Sequence, residues 1–113
     1  MTETRRERVR AETTVEIKEI ALQQMAEQGA ASLSLRAIAR EMGTSAPAIY
    51  RYFPNRDALV TALIIDAYNS LADTLQAAND GQDGEDYNGR FRAVARAYRE
   101  WALSHRAEYG LIY

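Results

Sequence analysis

Apolar residues recur along this chain at intervals of three and four, with no sustained alternation at intervals of two. That rhythm belongs to helices with one buried face, and no run reads as a strand set between hairpin turns. From Arg5 to Gln28, Val9, Thr13, Ile17, Ile20, Ala21 and Met25 form one stripe, predicting a first helix that Gly29 ends. Ser34 has the side chain of an N-cap. Behind it Leu35, Ile38, Ala39 and Met42 would turn inward on a second helix. Gly43 stands where a left-handed residue closes a helix, and the link "GTS" is as short as that of a helix-turn-helix. Ser45 would cap a third helix with Pro47 in its first turn, where a missing N–H costs little, and Pro54 stops it after Phe53.

A fourth helix is predicted from Asn55, with Asp57 adding favourable charge near its N-terminus. Its apolar stripe is Leu59, Leu63, Ile64, Ala67, Tyr68, Leu71 and Leu75. The run "NDGQDGEDYNG", Asn79 to Gly89, reads as an acidic, glycine-rich loop. A fifth helix follows to about His105, with Phe91, Val94, Ala95, Tyr98, Trp101 and Ala102 inward, and "AEYGLIY" begins a further element. No internal repeat is visible. The expected fold class is all-α.

Composition sharpens this picture. With 113 residues and 47% apolar positions, the chain is about one domain with a modest core. It has no cysteine, which removes disulfides and thiolate metal sites and suits a reducing compartment. The apolar run "ALII" is too short to span a bilayer, and the basic "MTETRRERVR" is followed by no apolar segment, so it is not a secretory signal. A cytoplasmic protein without a membrane partner is expected. The net charge of −2 conceals an asymmetry. Residues 1–56 hold nine Lys/Arg against seven Glu, residues 57–89 hold seven Asp/Glu and no Lys/Arg, and residues 90–113 are net +3. Such a division suggests two jobs in one chain.

The third helix carries the candidate chemistry. Ile49 and Phe53, four apart, would face inward, while the pairs Ala46 with Tyr50 and Pro47 with Arg51 lie on faces that can stay exposed. Small residues at its start permit close approach of a duplex, and the flanking arginines and tyrosines can reach phosphates. Arg36, Arg40, Arg51 and Arg56 add positive charge. The same spacing also fits a helical interaction module that binds no DNA. Salt separates the two, since duplex binding weakens steeply as salt rises and apolar pairing does not. Other chemistry fares worse. The loop from Asn79 would put Gly81 at position 3 and Arg90 at position 12 of a calcium loop, where acids are required. Ser104 and His105 lie in no nucleophile motif, and no catalytic constellation is present. No cofactor, metal or enzymatic activity is expected.

The segment "LSLRAIAREMGTSAPAIYRYFPNRDALVTALI" resembles the DNA-binding domain of the tetracycline-repressor (TetR) family of bacterial transcriptional regulators. The "IA" pair, the glycine turn and the aromatic-rich "IYRYFPNRDAL" agree at fixed spacing over roughly residues 9–75. More weakly, "YREWALSHRAEYGLIY" resembles the start of a WHG-type C-terminal domain, with Trp101, His105 and Gly110 as its lettered residues. The resemblance implies a three-helix DNA-binding domain with a helix-turn-helix over residues 1–54. Residues 55–113 would be a connecting helix and the incomplete start of a helical ligand and dimerisation domain. It implies a ligand-responsive repressor, with double-stranded DNA and a small-molecule effector as partners, binding a palindromic operator as a homodimer whose interface these 113 residues lack.

Carried over by position, Arg36 falls where members reach a base edge or a phosphate. Ser45, Ala46 and Pro47 fall nearest the base edges, where Pro47 can meet a thymine methyl. Tyr50, Tyr52 and Arg56 fall on positions that hold the DNA backbone, and Thr44 and Arg51 complete the expected contact set. Ala48 replaces the usual hydroxyl residue, and Tyr52 stands where histidine is common. The basic arm Arg5, Arg6, Arg8 and Arg10 either adds phosphate or minor-groove contacts or is a solvated first turn.

Overall fold

The computed structural model describes residues 2–82, 84 and 86–113. Among them are six α-helices, one 3₁₀ turn and no strand, so the fold is all-α. In chain order they are α1 (Arg5–Gln28), the 3₁₀ turn Ala30–Ser32, α2 (Leu35–Met42), α3 (Ala46–Tyr50), α4 (Arg56–Asp80), α5 (Tyr87–Ser104) and α6 (Arg106–Ile112). The chain divides into two compact units, residues 1–62 and 63–113.

In the first unit the local signals act as their chemistry dictates. Thr4 and Glu7 form a reciprocal capping box at the start of α1. Ser34 accepts from the Ala37 N–H, Ser45 from the Ala48 N–H and Asn55 from the Ala58 N–H, which caps α2, α3 and α4 in turn. Gly43 closes α2 at φ 70° and ψ 29°, a left-handed conformation that glycine enters without a Cβ clash, and its N–H reaches the Ala39 and Arg40 carbonyls. The core behind these caps contains Ile17, Ala21, Met25, Leu33, Leu35, Ile38, Ala39, Ile49, Phe53 and Leu59. Burying each large aliphatic among them contributes about 1.5–3 kcal/mol. The stripe on α1 closes only from Ile17 onward. Val9 is exposed, a departure from the expected inward stripe, because the capping box and not a core holds that end.

The second unit buries Ala67, Leu71 and Trp101, with Leu75, Tyr98, Ala102 and Ile112 packed against them. The Trp101 indole N–H donates to Ser70 Oγ at 3.0 Å, so the ring is buried without an orphaned donor. Three expectations are corrected here. Phe91 is 74% exposed and Ala95 is exposed as well. Periodicity gave a phase for Phe91, but the buried cluster of this unit does not include it. Tyr68, at the edge of the α4 stripe, is also exposed. The acidic loop is shorter than "NDGQDGEDYNG" suggests: α4 persists to Asp80, and Asp86 caps α5 by accepting from the Gly89 N–H at 2.9 Å. Gly89 is thus a helical residue, and a Cβ there would lie 2.2 Å from an Asp86 carboxylate oxygen. Asp83 and Glu85 of that run lie outside the described residues.

By length and composition α4 is apolar enough to cross a membrane. Leu59, Leu63, Ala67 and Leu71 are buried along one face of it, while Ile65 and Tyr68 are exposed. Asp66 and Asp73 would each cost about 2.5–3.5 kcal/mol near a bilayer centre.

Candidate nucleic-acid interface

α3 is five residues long, too short to hold itself together, so its pose comes from what surrounds it. Ile49, 1% exposed, is its one fully buried side chain and pins it to the core, with α2 packed alongside. The turn before it is fixed by the Thr44 N–H, which donates to the Ala39 carbonyl at 2.9 Å. With Ile49 inward, Pro47 and Tyr50 are exposed, as are Thr44, Ser45 and Arg51 beside the helix, while Ala46 and Ala48 are half-buried. The outward surface at the start of α3 therefore carries short side chains, which let a rigid partner come close.

Two concavities lie beside this surface. One, of about 630 Å³, is lined by Leu33, Ser34, Leu35, Arg36, Tyr50, Pro54, Asn55 and Arg56. It brings together three expected contact residues, Arg36, Tyr50 and Arg56. The other, of about 540 Å³, is lined by Arg5, Arg6, Val9, Arg10 and Tyr52, and so joins the basic arm to Tyr52. Thr44, Ser45, Ala46, Pro47 and Arg51 line neither. Between Ser34 and Arg56 four arginines face a single acid, Glu41, whose carboxylate is engaged by the Gln24 amide at 3.3 Å. Such a surface suits a polyanion.

Two arginines do something the sequence did not signal. Arg56 donates from Nε to the Leu33 carbonyl at 3.1 Å and from Nη2 to the Ala30 carbonyl at 2.9 Å. Arg10 donates from Nη2 to the Arg51 carbonyl at 3.2 Å, and its guanidinium lies 4.7 Å from the centre of the Tyr52 ring. These pairs are separated by 23 to 41 residues, beyond the reach of any local motif.

In the second unit, His105 stacks on Trp101 with ring centroids 4.9 Å apart and planes 10° from parallel. Its Nδ1 lies 3.0 Å from the Trp101 carbonyl, in the junction between α5 and α6. Gly110 is exposed on α6. The Tyr98 hydroxyl donates to that of Tyr113. This bond, with burial and the neighbouring tyrosines adding to it, raises the Tyr98 phenol from its ordinary 10.0 to about 12. Among the described residues, no group of three or more His, Asp or Glu is placed to hold a metal ion.

Residues 17–63 match the family profile of bacterial regulatory proteins of the tetR family. The chain is 41% identical over 109 residues to the HTH-type transcriptional regulators Mb1846 of Mycobacterium bovis and Rv1816 of Mycobacterium tuberculosis. The match covers 96% of this chain and 47% of theirs, so the chain spans about half the length of these relatives. The crystal structure of SCO4313, described as a regulatory protein, superposes with a TM-score of 0.83 at 49% identity, over 96% of this chain and 51% of that one.

Proposed function

This chain carries the N-terminal domain of the tetR family of bacterial regulatory proteins, and from that premise we propose that it is a sequence-specific DNA-binding transcriptional regulator. The observation that carries this reading is the pose of α3. Ile49 is buried while Pro47, Tyr50 and Arg51 are exposed, and Tyr50 lines a concavity with Arg36 and Arg56. In this reading α3 enters the major groove with Thr44, Ser45, Ala46 and Pro47 toward the base edges. Arg36 meets a base or phosphate, and Tyr50, Arg51 and Tyr52 meet the backbone. Arg56 borders the same concavity, with its guanidinium already bonded to the protein's own carbonyls.

The functional division runs at residues 54 and 55, with the reading head before it and a connecting helix and ligand-sensing helices after it. We take the protein to be a cytoplasmic repressor without catalytic activity. A small-molecule effector changes its affinity for a palindromic operator through coupling between two sites. The lettered residues Trp101 and His105 stack on one another, Trp101 in the core of the second unit and His105 half-buried beside it, in support of a sensing role for that unit.

Selection of bound sequences from a random duplex library tests this reading. One enriched motif is expected, bound with an affinity whose logarithm falls against log salt by about 0.9 per phosphate contact. Absence of enrichment together with salt-insensitive self-association would make the chain an interaction module. Titration of the selected palindrome against its half-site then reads pairing. Joined heads gain about 10² to 10⁴ in avidity. We expect the 113 residues alone to fall well short of that gain, and a discrete dimer that achieves it would show that α4 and α5 suffice for pairing.

A further inference from the structure

We propose that Arg10 and Arg56 are positioning residues, which brace α2 and α3 through the protein's own carbonyl oxygens and do not act as phosphate clamps. The inference rests on the DNA-reading role of α3 for its second readout only. Arg56 is the first residue of α4, and its planar fork spans two acceptors, the carbonyls of Ala30 and Leu33. Those carbonyls bracket the lead-in to α2, because Leu33 is buried and directly precedes the Ser34 cap. Arg56 thereby ties the start of α4 to the start of α2. Arg10 does the equivalent at the other end of the pair. It holds the carbonyl of Arg51, the C-cap of α3, and covers one face of the half-buried Tyr52 ring. A cation beside the last carbonyls of a helix is favourable, and so is a guanidinium on an aromatic face.

α3 makes these braces matter. With five residues and one fully buried side chain, it has little besides Ile49 and its two flanks to fix its angle. A phosphate clamp needs a charge, which lysine supplies. Spanning two carbonyls, as Arg56 does, or a carbonyl and a ring face, as Arg10 does, needs the planar fork, which lysine lacks. Arg→Lys is therefore the discriminating change, and Arg→Gln, which removes the charge, is its control.

Arg10→Lys, Arg56→Lys and both Gln variants would be made in the 113-residue chain. In the free protein, amide hydrogen exchange should quicken by about five- to tenfold at Leu33 and Ala37 in Arg56→Lys, and at Tyr52 and Phe53 in Arg10→Lys. On the selected operator the Lys variants should lose about five- to tenfold in affinity, with a smaller loss on random duplex and an unchanged salt slope. The proposal is overturned if the Lys variants keep native exchange and operator affinity. It is equally overturned if the Gln variants lose operator and random-duplex binding alike and the slope falls by about 0.9 per contact. Should no duplex bind at all, the DNA-reading role fails, and the exchange data on the free protein still decide the bracing.

Discussion

Residues 1–62 leave few large apolar side chains exposed, namely Val9, Val15 and Tyr50, while residues 63–113 leave Ile65, Tyr68, Tyr87, Phe91, Leu103, Tyr109 and Tyr113 in the open. In the first unit α1, α2, α3 and α4 each start at a side-chain cap, as α5 does in the second, whereas α6 begins without one. The helices of the first unit enclose a core of ten buried apolar residues, and those of the second enclose a smaller one around Ala67, Leu71 and Trp101. The difference teaches that local order and closure are separate achievements. α5 is as regular as α2, yet it carries an aromatic ring, Phe91, that nothing receives.

The largest expected effect would show how much the second unit depends on one residue. Trp101→Ala should cost about 3–5 kcal/mol, because it empties the centre of the cluster and strips the Ser70 hydroxyl of its donor. Denaturant unfolding followed by circular dichroism measures it, and a loss below 1 kcal/mol would mean that the cluster carries little of the unit's stability. Next comes Arg36→Ala in the first unit, with a loss of about 1–3 kcal/mol in operator binding and relaxed preference at one base pair. An equal loss on every duplex would instead make Arg36 a phosphate contact.

Gly43→Ala should cost about 1 kcal/mol from backbone strain alone, because the site at φ 70° has open space for a methyl group. A thermal melt unchanged by that substitution would mean that α2 ends without the left-handed turn. Phe91→Ala should change stability by no more than about 0.5 kcal/mol, the range for an exposed position. A core-sized loss there would erase the contrast between the two units.

The smallest effect is confined to high pH. The Tyr98 phenol is raised above its unfolded value, so its bond to Tyr113 contributes fully below about pH 10 and is lost as pH rises toward 12. Tyrosinate absorbance should show one phenol titrating late, and Tyr98→Phe should remove it.

The first unit was legible almost residue by residue. Arg5 and Gln28 bound α1 as the stripe and Gly29 implied, and Ser34, Ser45 and Asn55 cap the helices their side chains suit. Ile49 and Phe53 turned inward together, which left Pro47, Tyr50 and Arg51 outward. These outcomes depend on hydrogen bonds and side-chain phases within about one helical turn, and the order of residues contains them. The second unit was legible only in outline. Its helices were foreseen, but the acidic run was assigned wholly to a loop, although Asn79 and Asp80 continue α4 and Gly89 belongs to the first turn of α5. An acid–glycine run signals a break without saying which acid will cap the next helix.

By itself, then, the order of residues determined the helices of the first unit, the Ser34, Ser45 and Asn55 caps and the shared phase of Ile49 and Phe53, since all of these are decided among near neighbours. The tertiary structure alone decided which arginines bond the protein's own carbonyls. Arg10, Arg36, Arg51 and Arg56 look alike in sequence, each a long cation near the same helices. Only once α1, α2, α3 and α4 are packed do the carbonyls of Ala30, Leu33 and Arg51 come within reach of two of them. A flexible cation takes whatever acceptor the fold brings close, and that proximity arises between residues 23 to 41 positions apart, where local preference carries no information.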